Sequence, residues 1–354
     1  MTDRAELAAW LRLLGTVGRA TARKLLLRHG SPAAVLAEAT LPPAKLPLEP
    51  MLTATWAWLD ASDRRSVLVV GDDDYPRCLL ESPDAPLLLF LEGDRTQLGR
   101  PAVAIVGSRS ATPQGLELAE RFAAELCALN WVVVSGLALG VDGAAHRGAL
   151  QAGGSTWAVL GNGLDEPYPS RHRRLAADVS AQGLLISEHA PGTPPLPPHF
   201  PARNRVIAGL SQGCLVVEAA LQSGSLITAR LALEAGREVF AVPGPIRSPQ
   251  SQGCNALIQQ GAQLVQSAAE IDAILAPQRP RPPQPRAPSV AIAPPADDTD
   301  PLLAALGWEP TSLDALQARL GWRTEALSAR LLELEFDGRV RALPGSRFER
   351  CSGP

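Results

Sequence analysis

The chain is poor in the residues that usually announce a chemistry. Five cysteines, at 78, 127, 214, 254 and 351, form no CxxC pair, and no Cys/His cluster has zinc spacing. That pattern predicts a reduced, metal-free, cytoplasmic protein rather than a disulfide scaffold. No apolar run reaches the ~20 residues of a membrane span, and the start lacks a basic stretch followed by an apolar core, so no membrane association is expected. Lysine is nearly missing: Lys24 and Lys45 are the only two, and arginine carries the positive charge. The formal net charge of −3 excludes recruitment of nucleic acid by a global basic field and leaves only a local patch. Nucleotide-binding signatures are missing too. There is no GxGxxG after the first central strand and no GxxxxGK[ST], and no GxSxG elbow of a Ser hydrolase is expected. No cofactor is expected.

What is present is an α/β alternation. Val103 to Val106 is a run of four apolar residues, as a strand buried on both faces requires, and it ends in Gly107-Ser108-Arg109. Apolar residues at helical spacing follow from Pro113 to Leu129, with proline near the start, and Trp131 to Val134 then reads as a second strand ending in Ser135-Gly136. Further strands are predicted at 156–160, 184–186, 215–217 and 238–242, with helices from Ser170, Ala202 and Ser225. Strands at 67–70 and 87–91 form a preamble. This alternation predicts a doubly wound parallel sheet over 66–276. Open sheets of that kind bind ligands at the carboxyl ends of their strands.

The turns predicted at those ends share a chemistry: Gly107-Ser108-Arg109, Ser135-Gly136, Gly161-Asn162-Gly163 and Ser223-Gly224-Ser225. Glycine lets backbone approach a ligand, Ser and Asn supply hydrogen bonds, and helix N-termini favour an anion, so the turns describe a rim suited to phosphate. Two segments add charge: Tyr168 to Arg174, with Arg171, Arg173 and Arg174 beside an aromatic ring, and Pro201 to Arg205, with Arg203, Asn204 and Arg205. A positive groove with an aromatic platform suits single-stranded nucleic acid. For Arg173 and Arg174 a solvated helix face is the competing reading. Asp142 and His146 read as a satisfied pair holding a loop, and no catalytic set assembles.

Residues 1–65 read as a small helical domain, similar to a SAM or helix-hairpin-helix module, with Gly15-Thr16-Val17-Gly18 as the turn between two helices. Arg19, Arg23, Lys24 and Arg28 give it positive charge. DNA contact and plain packing both fit.

The longer motifs are more specific. Ile105 to Arg109, Ser135 to His146, Phe200 to Ser211, Glu218 to Ala220, Ser223 to Ala229, Val242 to Gly244 and Tyr75-Pro76 resemble the DNA-processing protein A (DprA/Smf) family, in order, over roughly 66–276. The resemblance implies an extended Rossmann-like domain that binds single-stranded DNA without cutting it. It further implies a homodimer that protects incoming DNA and loads RecA recombinase onto it in natural transformation. Gly107, Ser108, Arg109, the Tyr168–Arg174 segment and Arg203 to Arg205 would then lie at the DNA pocket. His172 stands where the family usually has asparagine. The competing function is a nucleotide phosphoribohydrolase on a related fold, from whose glycine-rich segment Ser223-Gly224-Ser225 departs.

Residues 277–299 read as a linker, with eight prolines between Pro277 and Pro295. From 300 to 354, helices capped by Thr311 and Thr324 and a hairpin from Gly338 to Phe348 resemble a winged helix. Ten acids against seven arginines from Asp297 onward are a poor footprint for double-stranded DNA, so that partner stays open beside a protein contact or an autoinhibitory role.

Overall fold

In the computed structural model the structure describes residues 3–43, 47–276 and 300–351. Lys45 and the proline-rich linker of 277–299 lie outside the described residues. The chain divides into two units, Met1–Gln278 and Arg279–Pro354. No described helix is long and apolar enough to cross a membrane.

The first unit begins with four helices, α1 (Arg4–Thr16), α2 (Arg19–His29), α3 (Pro32–Glu38) and α4 (Leu48–Asp60). Gly15 and Thr16 belong to α1, so the turn expected at 15–18 shrinks to Val17 and Gly18. Then follow β1 (Arg65–Val69), α5 (Arg77–Leu80), β2 (Leu88–Gly93), β3 (Ala102–Val106), α6 (Pro113–Ala128), β4 (Val132–Ser135) and α7 (Val141–Gln151). The α/β alternation continues with β5 (Thr156–Leu160), α8 (Arg173–Gln182), β6 (Leu184–Ser187), α9 (His199–Leu210) and β7 (Gly213–Val216). It closes with α10 (Ser225–Glu234), β8 (Glu238–Ala241), α11 (Gln252–Gln259), β9 (Gln263–Leu264) and α12 (Ala268–Leu275).

These strands make one nine-stranded sheet in the order β1-β2-β6-β5-β4-β3-β7-β8-β9. From β6 to β9 every pairing is parallel, and β2 joins both β1 and β6 antiparallel. The fold is an extended Rossmann-like α/β sheet, doubly wound around β3. Alternate residues of each strand serve opposite faces. Val103, Ile105 and Val133 pack under α6, α7 and α12, whereas Ala104, Val106 and Val134 pack against α9, α10 and α11. The N-terminal helices bury Leu7, Trp10, Leu13, Leu52 and Trp58 against β1, β2 and α8, so they extend this core rather than stand apart.

Arg19 and Arg23 are used in that docking. Arg19 pairs with Asp84 at 2.8 Å, and Arg23 donates to the carbonyls of Pro83 and Ala85. These two are therefore committed inside the unit and are not offered to a DNA backbone, while Lys24 and Arg28 remain exposed.

The second unit comprises α13 (Pro301–Leu306), β10 (Thr311–Ser312), α14 (Leu313–Leu320), α15 (Thr324–Phe336), β11 (Val340–Leu343) and β12 (Arg347–Arg350), a winged-helix arrangement with sheet order β10-β12-β11. Ser312, not Thr311, caps α14, its hydroxyl accepting from Ala315 N–H; Thr311 lies in β10 and bonds the Leu306 carbonyl. Thr324 is the first residue of α15 rather than its cap.

Packing of α6 on α7 fixes the loop that follows β3. At Gly148 of α7 an added Cβ would collide with the backbone of Glu120 of α6. Gly148→Ala is therefore expected to destabilise the unit by about 1–3 kcal/mol, although alanine is the better helix former by about 1 kcal/mol. Urea denaturation checks the sign, and a stabilised variant would contradict this packing.

Candidate nucleic-acid interface

All parallel strands end on one edge of the sheet, and there the loops after β3, β4 and β7 surround an open trough of about 490 Å³. Gly107, Ser108, Arg109 and Ser110 form one wall, and Gln222, Ser223, Gly224 and Ser225 form another. Phe200, Pro201, Arg203 and Asn204 of α9 contribute, with Gln250 from the loop after β8.

Arg109 is exposed, and its guanidinium lies 5.7 Å from the centre of the Phe200 ring. Tyr168, 49% exposed, packs against the same ring, the two ring centres 5.6 Å apart at 44°. Cation and two rings thus form one continuous platform beside the trough. Ser108 accepts from Ser110 N–H at 3.1 Å, and Ser223 and Ser225 share a 2.7 Å hydroxyl contact. Asn204 donates to the Gly224 carbonyl at 3.4 Å, which ties α9 to the start of α10.

Several residues expected at the rim lie beneath it or away from it. Ser135 is fully buried, its hydroxyl donating to the Ile105 carbonyl at 2.6 Å. Gly136 lies under the trough, where an added Cβ would stand 2.5 Å from the Arg203 guanidinium. Arg203 is 6% exposed and donates to the carbonyls of Gly136 and Val159. Its helix begins at His199, earlier than the predicted Ala202, and Arg203, Val206, Ile207 and Leu210 then share the buried face. Burial pulls its guanidinium down to about 10, against the opposing charge of Asp142. Arg205, roughly 200° further round the helix, meets Glu188 at 2.5 Å and Asp84 at 3.1 Å, away from the trough. Arg203 thus meets the trough only from a buried position, and Arg205 does not line it. Arg173 pairs with Glu166 at 3.0 Å, while Arg171 is exposed beside Tyr168 in sequence. The Gly161–Gly163 turn is buried and does not line the trough.

Asp142 and His146 are not partners. Asp142 accepts from the amides of Gly136 and Ala138, and burial pushes its carboxyl up against the pull of Arg203. His146 bonds Thr156 Oγ1 at 2.7 Å, and burial lowers it to about 3, so it is neutral. His172, in the asparagine place, donates from Nδ1 to the Leu137 carbonyl at 2.9 Å, holding the same loop from outside. The start of α6 is also occupied from within: Glu218 accepts from Thr112 N–H at 2.9 Å. Helix N-termini therefore add less to the rim than the sequence suggests, and Arg109 carries the exposed charge.

The trough residues that sequence reasoning missed include Phe200, Gln222 and Gln250. Phe200 stands directly before the arginine cluster, but a single phenylalanine there reads as core. Gln250 sits in a loop without a motif. A GxSxG spacing does occur at Gly209 to Gly213, but it joins α9 to β7, and Ser211 is buried with its hydroxyl on the Ala208 carbonyl. Among the described residues no three or more His, Cys, Asp or Glu side chains are grouped to hold a metal ion.

In the winged-helix unit, α15 is the helix that such folds lay against duplex DNA. It carries Glu325, Glu333 and Glu335 against Arg330, which is paired with Asp300 at 2.7 Å and Glu333 at 2.6 Å.

Comparison with known proteins bears on the same region. The family model for DNA recombination-mediator protein A matches residues 66–275, more than half of the chain. The chain belongs to that family. A second match, to the DprA winged helix domain, covers residues 280–346. Protein Smf of Escherichia coli K12 is 43% identical over 304 residues, covering 83% of this chain and 79% of that protein. DNA processing protein DprA of Streptococcus pneumoniae is 50% identical over 200 residues, 56% of this chain and 71% of its own length. Among solved DprA structures, the Streptococcus pneumoniae protein aligns with a TM-score of 0.65 at 38% identity, over 77% of this chain and 98% of that one. DNA processing protein A of Helicobacter pylori, solved for its single-stranded DNA binding mode, aligns with a TM-score of 0.54 at 32% identity, over 60% and 95%.

Because Arg203 is a buried support in this DprA-family chain, Arg203→Met strands two carbonyls and the Asp142 charge. A loss of about 3–5 kcal/mol in unfolding free energy is expected. A change below about 1 kcal/mol in urea denaturation would refute the clamp.

Proposed function

We propose that this protein binds single-stranded DNA in the trough along the carboxyl ends of the parallel strands, and does no bond chemistry there. The observation that carries the reading is the exposed Arg109 guanidinium lying over Phe200, with Tyr168 against the same ring. A guanidinium neutralises phosphate, and an aromatic face stacks a base for about 1–3 kcal/mol without regard to sequence. The hydroxyls of Ser108, Ser110 and Ser223 supply neutral hydrogen bonds around them. Among the described lining residues the only carboxylate is Asp142, which is already committed to the amides of Gly136 and Ala138, so the trough has no group poised to act as an acid or base.

The single-stranded DNA binding of the Helicobacter pylori relative supports the reading. On this view Gly107, Ser108, Arg109, Tyr168, Arg171, Asn204, Gly224 and Ser225 contact the strand, and Ser135, Gly136 and Arg203 hold the trough in shape. The protein would act in the cytoplasm as a homodimer, protecting incoming single strands and loading RecA recombinase onto them in natural transformation. The charge pattern of α15 favours a protein contact over duplex DNA for the winged-helix unit.

Arg109→Ala is expected to weaken binding of an oligothymidylate and to reduce the slope of log affinity against log salt by about 0.7, the value for one phosphate contact on a single strand. Fluorescence anisotropy over a salt series measures both. An unchanged slope in a variant with wild-type melting temperature would remove Arg109 from the interface.

A further inference from the structure

The sheet order gives the strand a direction. Loops after β5, β4, β3, β7 and β8 stand side by side on one edge, because these five strands are neighbours in that order and all parallel. In that row stand Tyr168 and Arg171 after β5, Arg109 after β3, Ser223 to Ser225 after β7, and the segment Pro243 to Ser251 after β8. At about 4.8 Å between neighbouring strands the row spans about 19 Å. That length takes about five phosphates at the 3.4 Å spacing of a stacked strand, and fewer if it is stretched.

Of the cationic residues placed so far, Arg171 stands at the β5 end of this row and Arg109 at its middle. The β8 end carries Arg247. Its loop is held in a fixed shape by consecutive turns, Ser248 N–H to the Pro245 carbonyl at 3.0 Å and Ser251 N–H to the Ser248 carbonyl at 3.0 Å. Gln250 joins it to the trough: its carbonyl accepts from Ala219 N–H at 2.8 Å, and the residue lines the trough wall. At the tip Ile246 is 84% exposed, and Arg247 beside it is exposed. The other arginines in and after this row are mostly spoken for. Arg173 pairs with Glu166, Arg230 with Glu234, Arg205 with Glu188, and Arg203 is buried. Arg247 has no hydrogen bond or ion pair among the described residues, so its charge remains open to a polyanion.

We propose that Arg247 is a second phosphate-binding residue, at the β8 end of a single-strand track that begins at Tyr168 and passes Arg109. The inference rests on the single-stranded DNA reading of the trough. It makes the bound strand cross the sheet edge rather than dip into the trough and leave on the β5 side.

The test is anisotropy titration of the full chain with an oligothymidylate of about 12 nucleotides, within the usual footprint range of small single-strand binders. The proteins are wild type, Arg247→Ala, Arg247→Lys, Arg109→Ala and, as a charge control on α1, Arg4→Ala. Wild-type affinity falls between about 50 and 200 mM salt, and each single-strand phosphate contact accounts for about 2.6-fold of that fall. Arg247→Ala is expected to lose one such factor, Arg247→Lys to keep it, and Arg4→Ala to leave it unchanged. If Arg109→Ala loses the factor and Arg247→Ala does not, the track ends before β8 and the proposal is wrong. Equal effects of Arg247→Ala and Arg4→Ala would reduce Arg247 to general charge and also overturn it. Failure of the wild-type chain to bind would instead defeat the parent reading, and this one with it.

Discussion

A guanidinium buried beneath the sheet edge organises the rest of the site. Arg203 holds the carbonyls of Gly136 and Val159, the chain positions just beyond β4 and at the end of β5. Asp142 takes the amides of Gly136 and Ala138 in the same loop. A buried charge is tolerable only when its donors are filled and an opposite charge is near. For Arg203, Nη1 and Nε are bonded within the protein and the Asp142 charge opposes its own, and the loop after β4 is thereby held in place. The trough is open because this loop is held down.

The same economy explains where positive charge is left for a ligand. The start of α6 is closed by the Glu218 carboxylate, and Arg205 and Arg19 join the N-terminal helices to the sheet through Asp84 and Glu188. Most of the cationic groups near the sheet edge thus stabilise the protein itself. Arg109 differs in that an aromatic ring, not a carboxylate, supports it. A ring leaves the guanidinium's donors unfilled and turned outward, which suits a phosphate arriving from solvent. With a net charge of −3, long-range attraction of a polyanion is weak. The contact must then rely on short-range complementarity at this edge.

Much of this architecture was legible from residue order. Four apolar residues ending in Gly107-Ser108-Arg109 identify β3, and the helical spacing from Pro113 identifies α6, because each burial pattern has its own period. The preamble strands could be seen, but not their antiparallel place beside β6, which depends on contacts between residues far apart in the chain. Within the site, Arg109 was readable because it ends a strand. Arg203 does line the trough, but because its helix starts at His199 it falls in the second turn, on the buried face with Val206, Ile207 and Leu210, rather than at an open helix start. Arg205 was misread because Asp84 and Glu188 are distant in sequence. The glycine-serine turns looked alike, yet only those after β3 and β7 reach the trough, since Ser135 and Asn162 satisfy buried carbonyls instead.

The most direct measurement of the central claim is hydrogen exchange of the backbone amides with and without a saturating single-stranded oligonucleotide. Slower exchange is expected at 107–110 and 222–225, the two walls of the trough, with α1 to α3 and the winged-helix unit unchanged. Protection confined to α15 or to the N-terminal helices, with the trough walls unaffected, would contradict the account.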